Sequence, residues 1–93
     1  MAERRVTIGW PEGLHARPAS VFVRAAAAVG VPVTIAKEGG NPVNAASMLA
    51  LLALGAQGGD AVVLASEADN ADEALDRLAK LVQEGLDELP AAA

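Results

Sequence analysis

The chain has no cysteine and no tyrosine, and only one histidine, one tryptophan and one phenylalanine among its 93 residues. Without cysteine there are no disulfides, no thiolate nucleophile and no cysteine-based zinc site. A lone histidine cannot build a multi-histidine metal centre within one chain. No metal and no cofactor are therefore expected. Aromatic residues are 2% of a composition that is 53% hydrophobic, so the core must be aliphatic and rich in alanine. No apolar run approaches the roughly 18 residues of a membrane-spanning helix, and Met1-Ala2-Glu3-Arg4-Arg5 leads into an alternating segment rather than the apolar stretch of a signal peptide. These features predict a cytoplasmic protein without membrane attachment. The net charge is -5, and the few basic residues form no stripe that could neutralise a phosphate backbone, which argues against nucleic acid as a partner. The charge is also uneven. Arg4, Arg5, Arg17, Arg24 and Lys37 lie in the first 37 residues against Glu3 and Glu12, whereas most of the acids fall in residues 60–88. A basic face early in the chain would attract an anionic group or an acidic protein.

Residues 5–10 alternate, with Val6, Ile8 and Trp10 on one side, as in a half-buried strand. From Ala16 the period becomes helical: Ala19, Phe22, Val23 and Ala26 share a face, while Arg17, Ser20, Val21 and Arg24 point elsewhere. Pro18 is compatible only with the first turn of that helix. Gly30 stops it, and residues 31–37 read as a second strand, hairpinned through Gly39-Gly40-Asn41-Pro42 to a short extended piece at 43–45. A strongly apolar helix follows at 47–54, with Ser47 as its N-cap and Gly55 as its terminator. Residues 61–66 form a strand buried on at least one side. The last helix carries Leu75, Leu78, Leu81, Val82 and Leu86 in one stripe; Asn70 with Glu73 predicts a capping box, and Asp76 with Lys80 a favourable pair along the helix. The order β-α-β-β-α-β-α in a chain of this length predicts one α+β domain over residues 1–93, an antiparallel sheet with helices on one face, and a frayed end at 89–93.

The stretch "GLHARPAS" from Gly13 to Ser20 places the single histidine, His15, at or beside the helix N-cap. The first amides of a helix have no intrahelical partner, and the macrodipole puts positive potential there, so an anion is favoured. Arg17 adds a fork of donors suited to phosphate oxygens. Pro18 stiffens the turn and Gly13 permits the tight approach of the preceding backbone. On this chemistry alone two readings stand: His15 as acceptor of a phosphoryl group, or His15 as a solvated residue at a helix start.

The same residues carry a resemblance. "GLHARPAS", following "RVTIGWPE", is similar to the active-site signature of the HPr phosphocarrier family of the phosphoenolpyruvate-dependent sugar phosphotransferase system, and "VNAASMLALLALGAQGGDAVVLAS" resembles the family's second signature and the strand after it. The resemblance implies an open-faced β-sandwich, four antiparallel strands with three helices on one face. It implies that His15 accepts a phosphoryl group on Nδ1 from the phosphohistidine of Enzyme I and passes it to IIA domains of sugar permeases. Arg17 would stabilise the charge, and the amides of Ala16 and Arg17 would hold the phosphate. The protein would be a stoichiometric, transiently phosphorylated carrier rather than an enzyme. At Ser47 the resemblance admits a regulatory phosphorylation by an HPr kinase beside the plain cap, although Ala50 stands where relatives that use this switch commonly have glycine.

The 47–54 helix has more apolar surface than one core face needs. Leu51 and Leu54 are expected inside and Met48, Leu49 and Leu52 at least partly outside, forming a docking patch with Ser20, Val21 and Arg24. A monomeric relay with transient interfaces follows. The alternative from the same fold is a regulatory adaptor acting through Ser47 and protein binding. A small histidine phosphatase or mutase would need further acid–base groups, and none is evident in the chain.

Overall fold

The computed structural model describes residues 2–90. The elements run β1 (Ala2–Thr7), α1 (Ala16–Ala28), β2 (Thr34–Lys37), β3 (Val43–Asn44), α2 (Met48–Leu54), β4 (Ala61–Ser66) and α3 (Asp72–Glu84). The strands form one antiparallel sheet in the order β1-β4-β2-β3, with three helices on one of its faces. Arg5 pairs with Val63 and Ile35 with Leu64, which puts Val62, Leu64 and Ser66 of the central strand on the covered side and Ala61, Val63 and Ala65 on the open side. This is the architecture that the element order predicts, because a sheet of short strands buries its apolar face only against helices.

Alternation in the first strand persists through Trp10: Val6, Ile8 and Trp10 are buried while Arg5, Thr7 and Gly9 are exposed. The ladder nevertheless lies earlier than the expected residues 5–10. It ends at Thr7 because the next two amides are taken elsewhere, Ile8 N–H by the Asp60 carbonyl at 2.9 Å and Gly9 N–H by the Val82 carbonyl at 2.8 Å. The hairpin of β2 and β3 forms as expected, with Thr34 opposite Asn44, although the ladder of β2 starts at Thr34 rather than Val31, just past Pro32, whose missing N–H cannot serve a strand.

The core is aliphatic around Phe22, Ile35, Leu51, Leu64, Leu75, Leu78 and Leu81, all of them fully buried. Helix α3 presents Leu75, Leu78, Leu81 and Val82 to it and packs chiefly on β1. Its start differs from the expected capping box. The N-cap is Ala71, without a side-chain cap bond, and Asp72 and Glu73 in the first turn face the positive end of the dipole instead. Asp76 does not pair with Lys80. It accepts from Arg4 Nε at 2.7 Å, and Asp72 accepts from Arg4 Nη2 at 3.2 Å, because β1 brings Arg4 alongside the exposed face of α3. These two bonds, that to Asp76 first, raise the pKa of the Arg4 guanidinium.

Of the residues expected to fray at 89–93, the first two make contacts with the rest of the domain. Leu89 packs against the core, and Arg77 Nε donates to the Pro90 carbonyl at 2.9 Å. Residues 91–93 lie outside the described residues. Replacing Leu78, which is 0% exposed, with alanine removes buried methyl groups and leaves a cavity under α3; urea unfolding should show a loss of about 2–5 kcal/mol.

Candidate functional site

Two backbone features set the geometry around His15. Trp10, Pro11, Glu12 and Gly13 form a turn closed by the Gly13 N–H on the Trp10 carbonyl at 2.9 Å, with proline at the position whose fixed φ suits it. Leu14 then plugs into the core at 6% exposure, and its N–H donates to the Ala56 carbonyl at 3.0 Å. His15 comes immediately after this anchor and faces solvent. Gly13 is required twice over. Its φ is +77°, and a Cβ there would lie 2.5 Å from the Ala56 carbonyl oxygen and 2.5 Å from Gln57 Cα. The loop after α2 therefore presses directly on the residue that aims His15.

His15 is the N-cap of α1, with extended backbone at φ -79° and ψ -175°, and its side chain makes no capping bond. The amides of this first turn can be accounted for one by one. His15 N–H donates to the Gly13 carbonyl at 2.9 Å, and Ala19 N–H donates to the His15 carbonyl at 2.8 Å. Pro18 has no N–H. The amides of Ala16 and Arg17 are left, and neither has a partner among the described residues. An anion at the imidazole would meet two free amides and the positive end of a helix. Arg17 is also free to turn toward it: its side chain is 81% exposed, and its ion-pair partner among the described residues is Asp87, with Nη2 3.8 Å from Oδ2. Gly13, His15, Ala16, Arg17 and Pro18 thus fall in one short segment at one end of α1. No cluster of metal-ligating side chains occurs among the described residues, and no described helix is long and apolar enough to cross a membrane.

Helix α2 packs against α1. Ser47 is its N-cap, and its hydroxyl accepts from the Ala50 N–H at 3.2 Å; Gly55 closes the helix with φ +69°. Leu49 is 82% exposed and Leu52 44%, the two large hydrophobic residues left in solvent among the described ones, while Met48 is half-buried. On α1, Ser20 and Arg24 continue the solvent-facing row from Arg17. Val21 does not join them. It is 6% exposed, because the apolar face of α1 is broad enough to take in Val21 and Ala25 with Phe22. Leu54, expected inside, is only partly covered at the end of α2.

The family model PTS-HPr, described as the PTS HPr component phosphorylation site, matches residues 2–84. The chain belongs to the HPr family. It is 76% identical over 90 residues to the phosphocarrier protein HPr of Streptomyces coelicolor, covering 97% of each chain, and 37% identical over 84 residues to the HPr-like protein Crh of Bacillus subtilis, covering 90% of this chain and 98% of that one. Among solved structures it is similar to a phosphocarrier protein HPr from Bacillus anthracis, with a TM-score of 0.81 and 35% identity over 88% of this chain and 96% of the other. The general role that HPr membership carries is that of a phosphocarrier in the phosphotransferase system, working with its protein components.

Three features of this HPr site escaped the sequence. Leu14 could have been suspected as the only large apolar residue inside the signature, but its role depends on Ala56, which no local pattern announces. The pressure of Gln57 on Gly13 is a contact between distant segments. Asp87 carries no motif at all. Replacing Gly13 with alanine forces a strained φ and a clash with backbone atoms, and should destabilise the fold by more than about 2 kcal/mol. Hydrogen exchange should then show early loss of protection at the Leu14 amide; an unchanged midpoint and unchanged protection would contradict the close approach.

Proposed function

We propose that His15 receives a phosphoryl group from the phosphohistidine of Enzyme I and hands it to IIA domains of sugar permeases. One observation carries the reading. The only imidazole in the chain stands exposed and uncommitted at the N-cap of α1, beside two unpartnered amides and a guanidinium that can swing. In the forward step the lone pair on Nδ1 attacks phosphorus, the new P–N bond forms as the donor's breaks, and the electron pair of the broken bond stays with the donor nitrogen. The protein supplies placement and charge stabilisation rather than acid–base chemistry. Phosphate oxygens accept from the Ala16 and Arg17 amides, and Arg17 closes its fork on them; charge-assisted bonds of this kind contribute roughly 1.5–3 kcal/mol each.

The exposed leucines of α2 support a partner surface. Leu49, Leu52 and Met48, with Ser20 and Arg24 across the α1–α2 contact, give a small apolar centre with a polar rim, the composition of interfaces that form and release quickly. The Ser47 hydroxyl serves as helix cap, and no observation favours a regulatory phosphorylation there over that role.

Incubation with phosphoenolpyruvate and purified Enzyme I should place one acid-labile phosphate on the protein, and His15→Ala should abolish it. An acid-stable phosphate, or labelling that survives in His15→Ala, would refute the relay. Leu49→Ser tests the surface: KM for transfer to a IIA domain should rise about fivefold or more while the unfolding free energy stays within about 0.5 kcal/mol of the parent, as expected for a residue whose contacts are made only in the complex.

A further inference from the structure

The chain beyond α3 lies outside the stretch that the family model covers, yet it is held in place close to the site. Gly85, with φ +63°, ends the helix. Trp10 Nε1 then donates to the Leu86 carbonyl at 3.1 Å, and Arg77 Nε donates to the Pro90 carbonyl at 2.9 Å. Leu86 and Leu89 both pack on the core. Asp87 sits between these fastenings, so its carboxylate is presented by a clamped strap rather than by a loose end. It faces Arg17, at 3.8 Å between Oδ2 and Nη2.

We propose that Asp87 is a positioning residue that competes with the phosphoryl group for Arg17 and so raises the tendency of phosphorylated His15 to give its phosphate away. This inference rests on His15 being the acceptor. Without phosphate, the anionic neighbour of Arg17 among the described residues is this carboxylate. When the P–Nδ1 bond forms as the donor's P–N bond breaks, a group with up to two negative charges arrives beside Arg17, and the guanidinium cannot serve both anions with the same fork. It turns to the phosphate, the stronger acceptor. The Arg17–Asp87 contact is lost, and a clamped carboxylate is left unpaired beside a new like charge. Both effects weigh against the phosphorylated form. Both side chains are more than three-quarters exposed, so the effect is that of a screened surface pair and amounts to a few-fold change in an equilibrium.

The test poises the protein with catalytic Enzyme I at a series of phosphoenolpyruvate to pyruvate ratios and reads the phosphorylated fraction. Asp87→Asn should reach half-phosphorylation at a ratio about two- to fivefold lower than the parent, and purified phosphoprotein should lose its phosphate more slowly. Asp87→Glu should restore the parental ratio. The difference should shrink as salt rises toward ~0.5 M, where screening acts over only about 4 Å. In an Arg17→Ala background most of the Asp87→Asn shift should vanish, since the competition runs through the guanidinium. An Asp87→Asn protein with the parental ratio, or with a higher one, overturns the proposal, as does a shift that persists in full without Arg17. Failure of the parent itself to take up acid-labile phosphate at His15 is a different result and refutes the acceptor reading on which the proposal stands.

Discussion

The bond from the Leu14 amide to the Ala56 carbonyl ties the start of α1 to the loop that leaves α2. Much of the site's geometry depends on it. It draws the Gly13 backbone so close to Gln57 that no side chain fits there, and it seats Leu14 in the core, which turns the next residue outward. His15 is exposed because its neighbour is buried. The aim of the imidazole is thus set by main-chain contacts and by one apolar anchor, and the imidazole itself spends no hydrogen bond on holding its position. The ring is left free by this division of labour.

The sheet and helices act as a frame for that junction. Strand β4, between β1 and β2, supplies Val62 and Leu64 to the interior and starts immediately after the loop that carries Ala56 and Gln57. Trp10, at the other side of the junction, is fixed by burial and by its bond to the Leu86 carbonyl. The turn before the site is consequently held from β1, from the α2–β4 loop and from the chain after α3, three segments far apart in sequence. Rigid support from several elements is what allows a short exposed segment to keep a defined shape.

Much of this was legible in the residues. Strict alternation at Val6, Ile8 and Trp10 marked the buried side of the first strand, and the shift to a period of 3.6 at Ala16, together with Pro18, put the helix start at or beside His15, which is its N-cap. Ser47 and Gly55 bounded α2 because a hydroxyl and a glycine at those places have local conformational reasons to be there. The failures share a different cause. Asn70 and Glu73 carry a local cap pattern, but Ala71 is buried and the helix begins one residue later. Asp76 has a partner four residues along its own helix, yet β1 offers the Arg4 fork across the surface. Val21 falls outside the narrow apolar stripe drawn from spacing, and the tertiary packing widens that stripe. Each miss is a case where a distant segment outcompeted a neighbour, and nothing in the local sequence reports which segment will arrive. At the site itself, histidine, arginine and proline were legible as a motif, whereas Leu14, Gln57 and Asp87 act through contacts that only the fold creates.

Pro18 carries no N–H, and the opening turn of α1 is left with two free amides, those of Ala16 and Arg17. A tetrahedral anion resting there is gripped on one side only, and the remainder of its surface stays open to whatever docks. Such an arrangement would suit cargo passed from one protein to another: neither donor nor acceptor would have to dig it out, and its release would be timed by whichever surface docks over it.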